Sequence, residues 1–120
     1  MIQIKDTSIL KALLARDYHP TLIDIIMWTE DTYGKVVITS GYRYGDRGCH
    51  GTLPCRAIDI RSWVYADPEE IAEAINKHWT YDFRRKKKKC AMVHDVGKGI
   101  HFHIQVHPNT RREDDGNPDS

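Results

Sequence analysis

The segment Ile100-His101-Phe102-His103-Ile104-Gln105-Val106 carries the densest chemistry in the chain. Its strict alternation reads as a strand, with Ile100, Phe102, Ile104 and Val106 on a core face and His101, His103 and Gln105 on the other. Two imidazoles and an amide in a row suggest a lined cleft. A second segment repeats the logic. In Ala57-Ile58-Asp59-Ile60 the isoleucines mark the core face and Asp59 points away from it, as the histidines do. His50 sits just upstream, in Cys49-His50-Gly51-Thr52. Together His50, Asp59 and one of the two strand histidines offer two imidazoles and a carboxylate. Three protein ligands with a vacant fourth position suit a catalytic Zn²⁺, whereas a closed structural site would want a fourth protein ligand.

Around these residues the composition is that of one small domain. The chain has 120 residues, 18 basic and 17 acidic side chains, 40% hydrophobic residues and seven histidines. That length excludes large barrels and multi-domain machines, and the near-neutral charge points neither to disorder nor to general nucleic-acid binding. No apolar run reaches the length of a membrane span, and Met1-Ile2-Gln3-Ile4-Lys5-Asp6 lacks the pattern of a secretory signal. A soluble protein made in the cytoplasm, without its own export address, is expected. Three cysteines are too few and too odd for a disulfide framework, so apolar packing must supply the core.

The elements that must position the site are legible in outline. Asp6 or Thr7 caps a helix carrying Ile9, Leu10, Leu13 and Leu14; Pro20 opens a second, with Leu22, Ile23, Ile25, Ile26 and Trp28, ending near Gly34. Val36-Val37-Ile38-Thr39 reads as a buried strand, Ser40 to Cys55 as a long loop, and Arg56 to Ser62 as a second strand. Asp67-Pro68-Glu69-Glu70 starts a helix that runs to about Trp79. Ala91–Asp95 and Ile100–Val106 are two strands joined by a turn containing Gly97-Lys98-Gly99. The expected architecture is α+β: N-terminal helices, then a small antiparallel sheet crossed by one more helix, in a single domain over 1–108, with 109–120 as a disordered tail.

Ile38-Thr39-Ser40-Gly41-Tyr42-Arg43, His50, Ala57-Ile58-Asp59-Ile60 and His101-Phe102-His103 together resemble the zinc D-Ala-D-Ala carboxypeptidases and peptidoglycan endopeptidases, which share a fold with the hedgehog signalling domain. The resemblance covers about residues 36–107. It implies that His50, Asp59 and His103 hold the zinc and that Arg43 faces the substrate. Two departures stand out. Eight residues rather than the usual six separate His50 from Asp59, and Cys55 occupies a customary glycine position. The family's catalytic glutamate, a few residues before the last ligand, is missing; Asp95 is the nearest carboxylate, with His94 and His101 as alternative bases.

On that resemblance Asp95 would take the proton of the attacking water and pass it to the leaving amine. Arg43 could stabilise the oxyanion or dock a substrate carboxylate, and His101 would hydrogen-bond substrate beside His103. The expected activity is zinc-dependent hydrolysis of a peptide bond in the peptidoglycan stem, at a D-Ala-D-Ala or an L-Ala-D-Glu-type bond. The implied setting is endolysin-like: a monomer acting on the cell wall once released, as in phage lysis or on a phage tail. The rival reading is a non-catalytic, zinc-stabilised binding module of the same fold. Small barrel oxygenases usually follow HxH closely with a glutamate ligand, where this chain has Gln105, His107 and Pro108. Cys49 and Cys55 read as reduced loop cysteines, with a thiolate metal site or a disulfide as the alternatives. The run Arg84–Lys89 reads as a solvated loop without the aromatic interleaving of a nucleic-acid site, with attraction to an anionic bacterial wall as an intermediate alternative, and neither nucleic acid nor membrane is expected as a partner. His19, His78 and His107 are expected to have ordinary surface or packing roles.

Overall fold

The computed structural model describes residues 1–95, 97 and 99–113. The chain folds as α+β, with three helices, a five-stranded mixed sheet and a two-stranded ribbon. Each helix begins where the sequence supplies a cap. Helix α1 (Thr7–Ala15) starts at Asp6, whose carboxylate accepts the Ile9 N–H at 3.1 Å. Helix α2 (Pro20–Tyr33) starts at His19, whose Nδ1 accepts the Thr21 N–H at 3.2 Å, and ends at Gly34, which takes φ 87° and donates to the Glu30 carbonyl. Helix α3 (Pro68–His78) is capped by Asp67, has Glu69 and Glu70 in its first turn and Lys77 and His78 in its last, so both ends complement the helix dipole.

The strands are β1 (Ile2–Ile4), β2 (Val36–Ser40), β3 (Ala57–Ile60), β4 (Trp79–Thr80), β5 (Ala91–Asp95), β6 (Ile100–Gln105) and β7 (Arg111–Arg112). The main sheet runs β1-β2-β3-β6-β5, and β4 pairs with β7. Three antiparallel pairings join β2, β3, β6 and β5, as the sequence suggests. The N-terminal strand corrects the expectation of a purely antiparallel sheet with helices first: β1 lies parallel to β2, with Ile2 opposite Val36 and Ile4 opposite Ile38. A parallel neighbour needs a long crossover, and α1 and α2 provide it.

The core lies on one face of this sheet. Phe102, Ile104 and Val106 are fully buried beside Ile58, Ile60, Ile38 and Ala91, and Leu22, Ile25 and Ile26 of α2 and Ile71, Ala72 and Ile75 of α3 complete the cluster. Each fully buried large side chain contributes about 1.5–3 kcal/mol of transfer free energy, enough to fix which face of β6 turns inward. Ile100 shares that parity but is 60% exposed, because it opens its strand at the end of the sheet.

Residues 109–113 correct the expectation of a disordered tail from 109 onwards. His107 to Thr110 form a turn in which Thr110 donates to the Tyr81 carbonyl at 2.7 Å, and Arg111–Arg112 then pair with Trp79–Thr80. The Arg112 guanidinium over the Trp79 ring, 5.0 Å from its centroid, explains why a charged dipeptide settles there. Residues 114–120, the remainder of the expected disordered tail, lie outside the described residues. No helix among the described residues is long and apolar enough to cross a membrane.

Candidate metal centre

The face of the sheet away from the core carries a cleft of about 530 Å³ lined by Lys5, Thr39, Ser40, Arg43, His50, Asp59, Met92, His94, His101 and His103. Strand register assembles most of it. Asp59 lies directly opposite His103, which in turn faces Met92, while His101 faces His94. His50 comes from a 3-10 turn (Cys49–Gly51) in the long loop. That turn is held down by its backbone, with the Arg43 N–H donating to the His50 carbonyl at 2.7 Å. Two glycines make the close packing feasible. A Cβ on Gly51 would overlap the Asp46 carbonyl oxygen, and one on Gly41 would sit 2.5 Å from the Tyr18 hydroxyl that accepts the Tyr42 N–H.

His50, Asp59 and His103 form a group whose ligand atoms all lie within 4.8 Å of one another and could hold a metal ion. His50 Nε2 and His103 Nδ1 lie 3.1 and 2.8 Å from the same oxygen, Asp59 Oδ1. A tetrahedral ion bonded at about 2.0–2.1 Å sets its ligand atoms roughly 3.3 Å apart, close to these separations. His50 and Asp59 are buried, at 5% and 7% exposure, and His103 is partly buried.

The outer hydrogen bonds decide what the inner nitrogens can do. His50 Nδ1 lies 2.9 Å from the Gly41 carbonyl, which only accepts, so Nδ1 carries a proton. Gln105 donates its amide N–H to the Lys89 carbonyl at 2.9 Å, which turns Gln105 Oε1 towards His103 Nε2 at 3.1 Å; that nitrogen is therefore also a donor. In their neutral forms both imidazoles then aim lone pairs at a carboxylate oxygen. Such contacts become attractive only with an extra proton on each ring or a cation between them. Carbonyl-oriented imidazoles of this kind accompany metal ligation.

Burial alone would raise the Asp59 pKa, but hydrogen bonds from His103 and then His50, made when each ring carries its extra proton, together with the charge of those rings, hold the carboxyl well below the usual range. Arg43 reaches in from outside: its guanidinium lies 3.4 Å from Asp59 Oδ2 and 3.8 Å from Asp46 Oδ2, and half of the side chain remains exposed. The donor set of two imidazoles and one carboxylate, open on the cleft side, fits a resident metal.

Of the residues singled out in the sequence, the structure brings together His50, Asp59, His103, His101 and Arg43. It does not bring Asp95. That residue pairs with Ile100 on the opposite face, and its carboxylate accepts the Gly97 N–H at 2.8 Å. The physical reason is strand parity: the Met92–His103 pairing sends Met92 and His94 into the cleft and Val93 and Asp95 away from it. The proton-transfer role expected of Asp95 therefore has no support in its position, whereas His94 and His101 line the cleft.

Lys5, Thr39 and Met92 line the cleft without having been anticipated, and Gln105 acts on it through His103. The alternation Ile2-Gln3-Ile4 is the sequence signal that could have revealed β1 and with it Lys5. None of the three cysteines belongs to the group that could hold a metal ion. Cys55 and Cys90 are buried thiols; burial raises the pKa of both, Cys90 to about 12, and Cys49 Sγ lies 3.9 Å from the Tyr81 hydroxyl. His19 caps α2, His78 stacks against Trp28 at 5.0 Å, and His107 Nδ1 accepts the Asn109 N–H. A larger depression of about 1140 Å³ between α2 and the β4–β7 ribbon lies away from the histidine cleft. No protein-family model, curated protein or solved structure matches the chain.

Proposed function

We propose that this chain is a zinc-dependent peptidase that hydrolyses an amide bond in the stem peptide of bacterial peptidoglycan, with the hedgehog/DD-peptidase type of fold. The observation that carries the reading is the pair of imidazoles, each tied outward to a carbonyl oxygen and each presenting its inner nitrogen to Asp59. Zinc is the favoured ion because two imidazoles and one carboxylate, with a position left open, is a donor set of catalytic zinc sites. The resemblance to the wall peptidases adds the substrate class. Among the residues that carry it, Ser40, Arg43, His50, Asp59 and His103 line one cleft and Gly41 supports its wall.

His50, Asp59 and His103 would hold the ion, which when bound supplies Lewis acidity and a hydrolytic nucleophile at neutral pH. Arg43 is anchored on Asp59 Oδ2 with its outer edge open, so it can orient a substrate carbonyl or carboxylate with its planar fork. His101, on the same face two residues from His103 and directly opposite His94, can take a proton at a ring nitrogen and return it to a leaving amine. A histidine base replaces the carboxylate that the wall peptidases use.

Digesting purified peptidoglycan and analysing the released peptides by mass spectrometry, alongside metal analysis of the purified chain, tests the proposal. Cleavage that stops with a chelator and returns with zinc is the expected result. Cleavage that survives metal stripping, or that persists in Asp59→Ala or His103→Ala, refutes it. The absence of a second carboxylate among the cleft residues favours one other reading, a zinc-stabilised binding module. Stoichiometric zinc with no peptide released from any wall would select that reading.

A further inference from the structure

The Arg84–Lys89 run takes no part in the cleft, yet it is the strongest charge feature of the molecule. Six of the chain's 18 basic residues are consecutive there, and the other 12 are spread among 17 acidic ones. All six are exposed. Arg85 pairs with Asp82 at 3.3 Å, whereas Arg84 and the four lysines make no ion pair with the described residues.

This loop has a defined shape. The buried Asp82 accepts the Arg84 N–H at 3.0 Å and the Asn109 side-chain N–H at 3.4 Å, and its second oxygen meets the Arg85 guanidinium. Two successive turns follow, closed by Arg85 N–H to the Asp82 carbonyl and Lys88 N–H to the Arg85 carbonyl. Like charges held this close repel one another, and a buried carboxylate at the base of the loop offsets part of that cost. The last residue of the run also reaches the metal centre. The Lys89 carbonyl accepts from Gln105, whose Oε1 accepts from His103. One end of the loop is thus anchored two hydrogen bonds from His103.

The surroundings favour a partner with phosphates and without bases. Of the rings flanking the loop, Tyr81 is buried with Arg85 over it at 5.7 Å, and the half-exposed Phe83, with Arg84 5.3 Å from its centroid, is a single ring rather than the row on which successive bases stack. No helix occurs between Trp79 and Ala91 to enter a nucleic-acid groove. We infer that Arg84–Lys89 is a docking surface for the phosphodiester-linked anionic polymer of a bacterial wall, holding the cleft against the wall in which its substrate lies. The choice of partner rests on the function proposed above; the binding itself does not depend on hydrolysis.

Sedimentation of the full, metal-loaded chain with insoluble bacterial walls tests this, using intact walls and walls stripped of phosphodiester polymer by acid. Binding should fall on the order of tenfold on stripping, and similarly between about 50 and 200 mM salt, as expected for roughly two phosphate contacts. The triple reversal Lys86→Glu, Lys87→Glu and Lys88→Glu should lose as much. It should unfold at the same temperature as the parent and cleave a soluble stem peptide equally well. The milder Lys86→Gln, Lys87→Gln, Lys88→Gln variant gives the same reading should the reversal fail to fold. Equal binding to stripped walls, or unchanged binding by a folded variant, overturns the inference. Tighter binding to single-stranded or duplex DNA than to intact walls at the same salt also overturns it and assigns the loop to nucleic acid. Walls that bind the chain but release no peptide uphold docking and refute the peptidase reading.

Discussion

Replacing Gln105 by leucine should weaken zinc binding about tenfold while leaving the fold standing. Gln105 is 8% exposed and uses both ends of its amide, accepting from His103 at 3.1 Å and donating to the Lys89 carbonyl at 2.9 Å. Leucine removes both contacts at nearly constant volume. The first loss frees His103 to move its proton onto the nitrogen that faces Asp59. A neutral hydrogen bond is worth about 0.5–1.5 kcal/mol net, and loss of an orienting partner commonly costs about 10–100-fold in metal affinity. The two ranges meet near tenfold, or about 1.4 kcal/mol. The second loss leaves the Lys89 carbonyl without its donor and should cost the fold about 1 kcal/mol, or about 3–6 °C in Tm. Because the fold term is present with or without metal, the two separate cleanly. Thermal unfolding in chelator reads one, and competition against a chromophoric chelator reads the other. Zinc affinity within about twofold of the parent, in a variant whose metal-free Tm has dropped as expected, would refute the reasoning that carbonyl partners set the metal-facing nitrogens.

Other outcomes follow from the same geometry. Asp95→Asn should hydrolyse stem peptide within about twofold of the parent rate, whereas His101→Ala should lose about 10²–10⁴ in kcat with zinc content retained; the reverse order would restore Asp95 as the base. Gly51→Ala must push the His50 turn away from the Asp46 backbone, so denaturant unfolding should register a loss of about 1–3 kcal/mol together with weaker zinc uptake. In chelator, acid should destabilise the parent more than Asp59→Asn. The folded Asp59 carboxyl lies below its ordinary 3.8, so the unfolded chain binds the extra proton; its contribution is complete above that value and fades as pH falls below it. Denaturant midpoints against pH for the two proteins, converging towards acid, check the sign.

Much of the metal centre is written in strand parity. Asp59 between Ile58 and Ile60, and His103 between Phe102 and Ile104, could each point only away from the core once burial fixed the isoleucines and the phenylalanine inward. Asp95 was opaque for the same reason in reverse. Ala91, Met92 and Val93 are apolar on both parities, so alternation says nothing about which face β5 turns to the cleft, and only the Met92–His103 pairing decides it. The caps of α2 and α3 were readable because Pro20, Gly34, Asp67 and Pro68 act locally. The β4–β7 ribbon was not, since two residues on each side pair through contacts some thirty positions apart along the chain. Lys5 was hidden with β1, a three-residue edge strand whose side chains are all exposed.

The long loop has a consequence for how such centres are recognised. Its ligand-bearing turn is fastened twice, once by the Arg43 N–H on the His50 carbonyl, and again at Cys55, whose backbone bonds to Asp17 and His19 and aligns it beside Tyr18. Between His50 and Cys55, Leu53 and Pro54 are exposed chain that can be lengthened at little entropic cost. The number of residues from the ligand histidine to the ligand aspartate is thus a slack variable, free to drift while the donor atoms stay put. A pattern defined by that count will overlook chains of this kind. One defined by the two anchors and by the facing parities of the strands will find them.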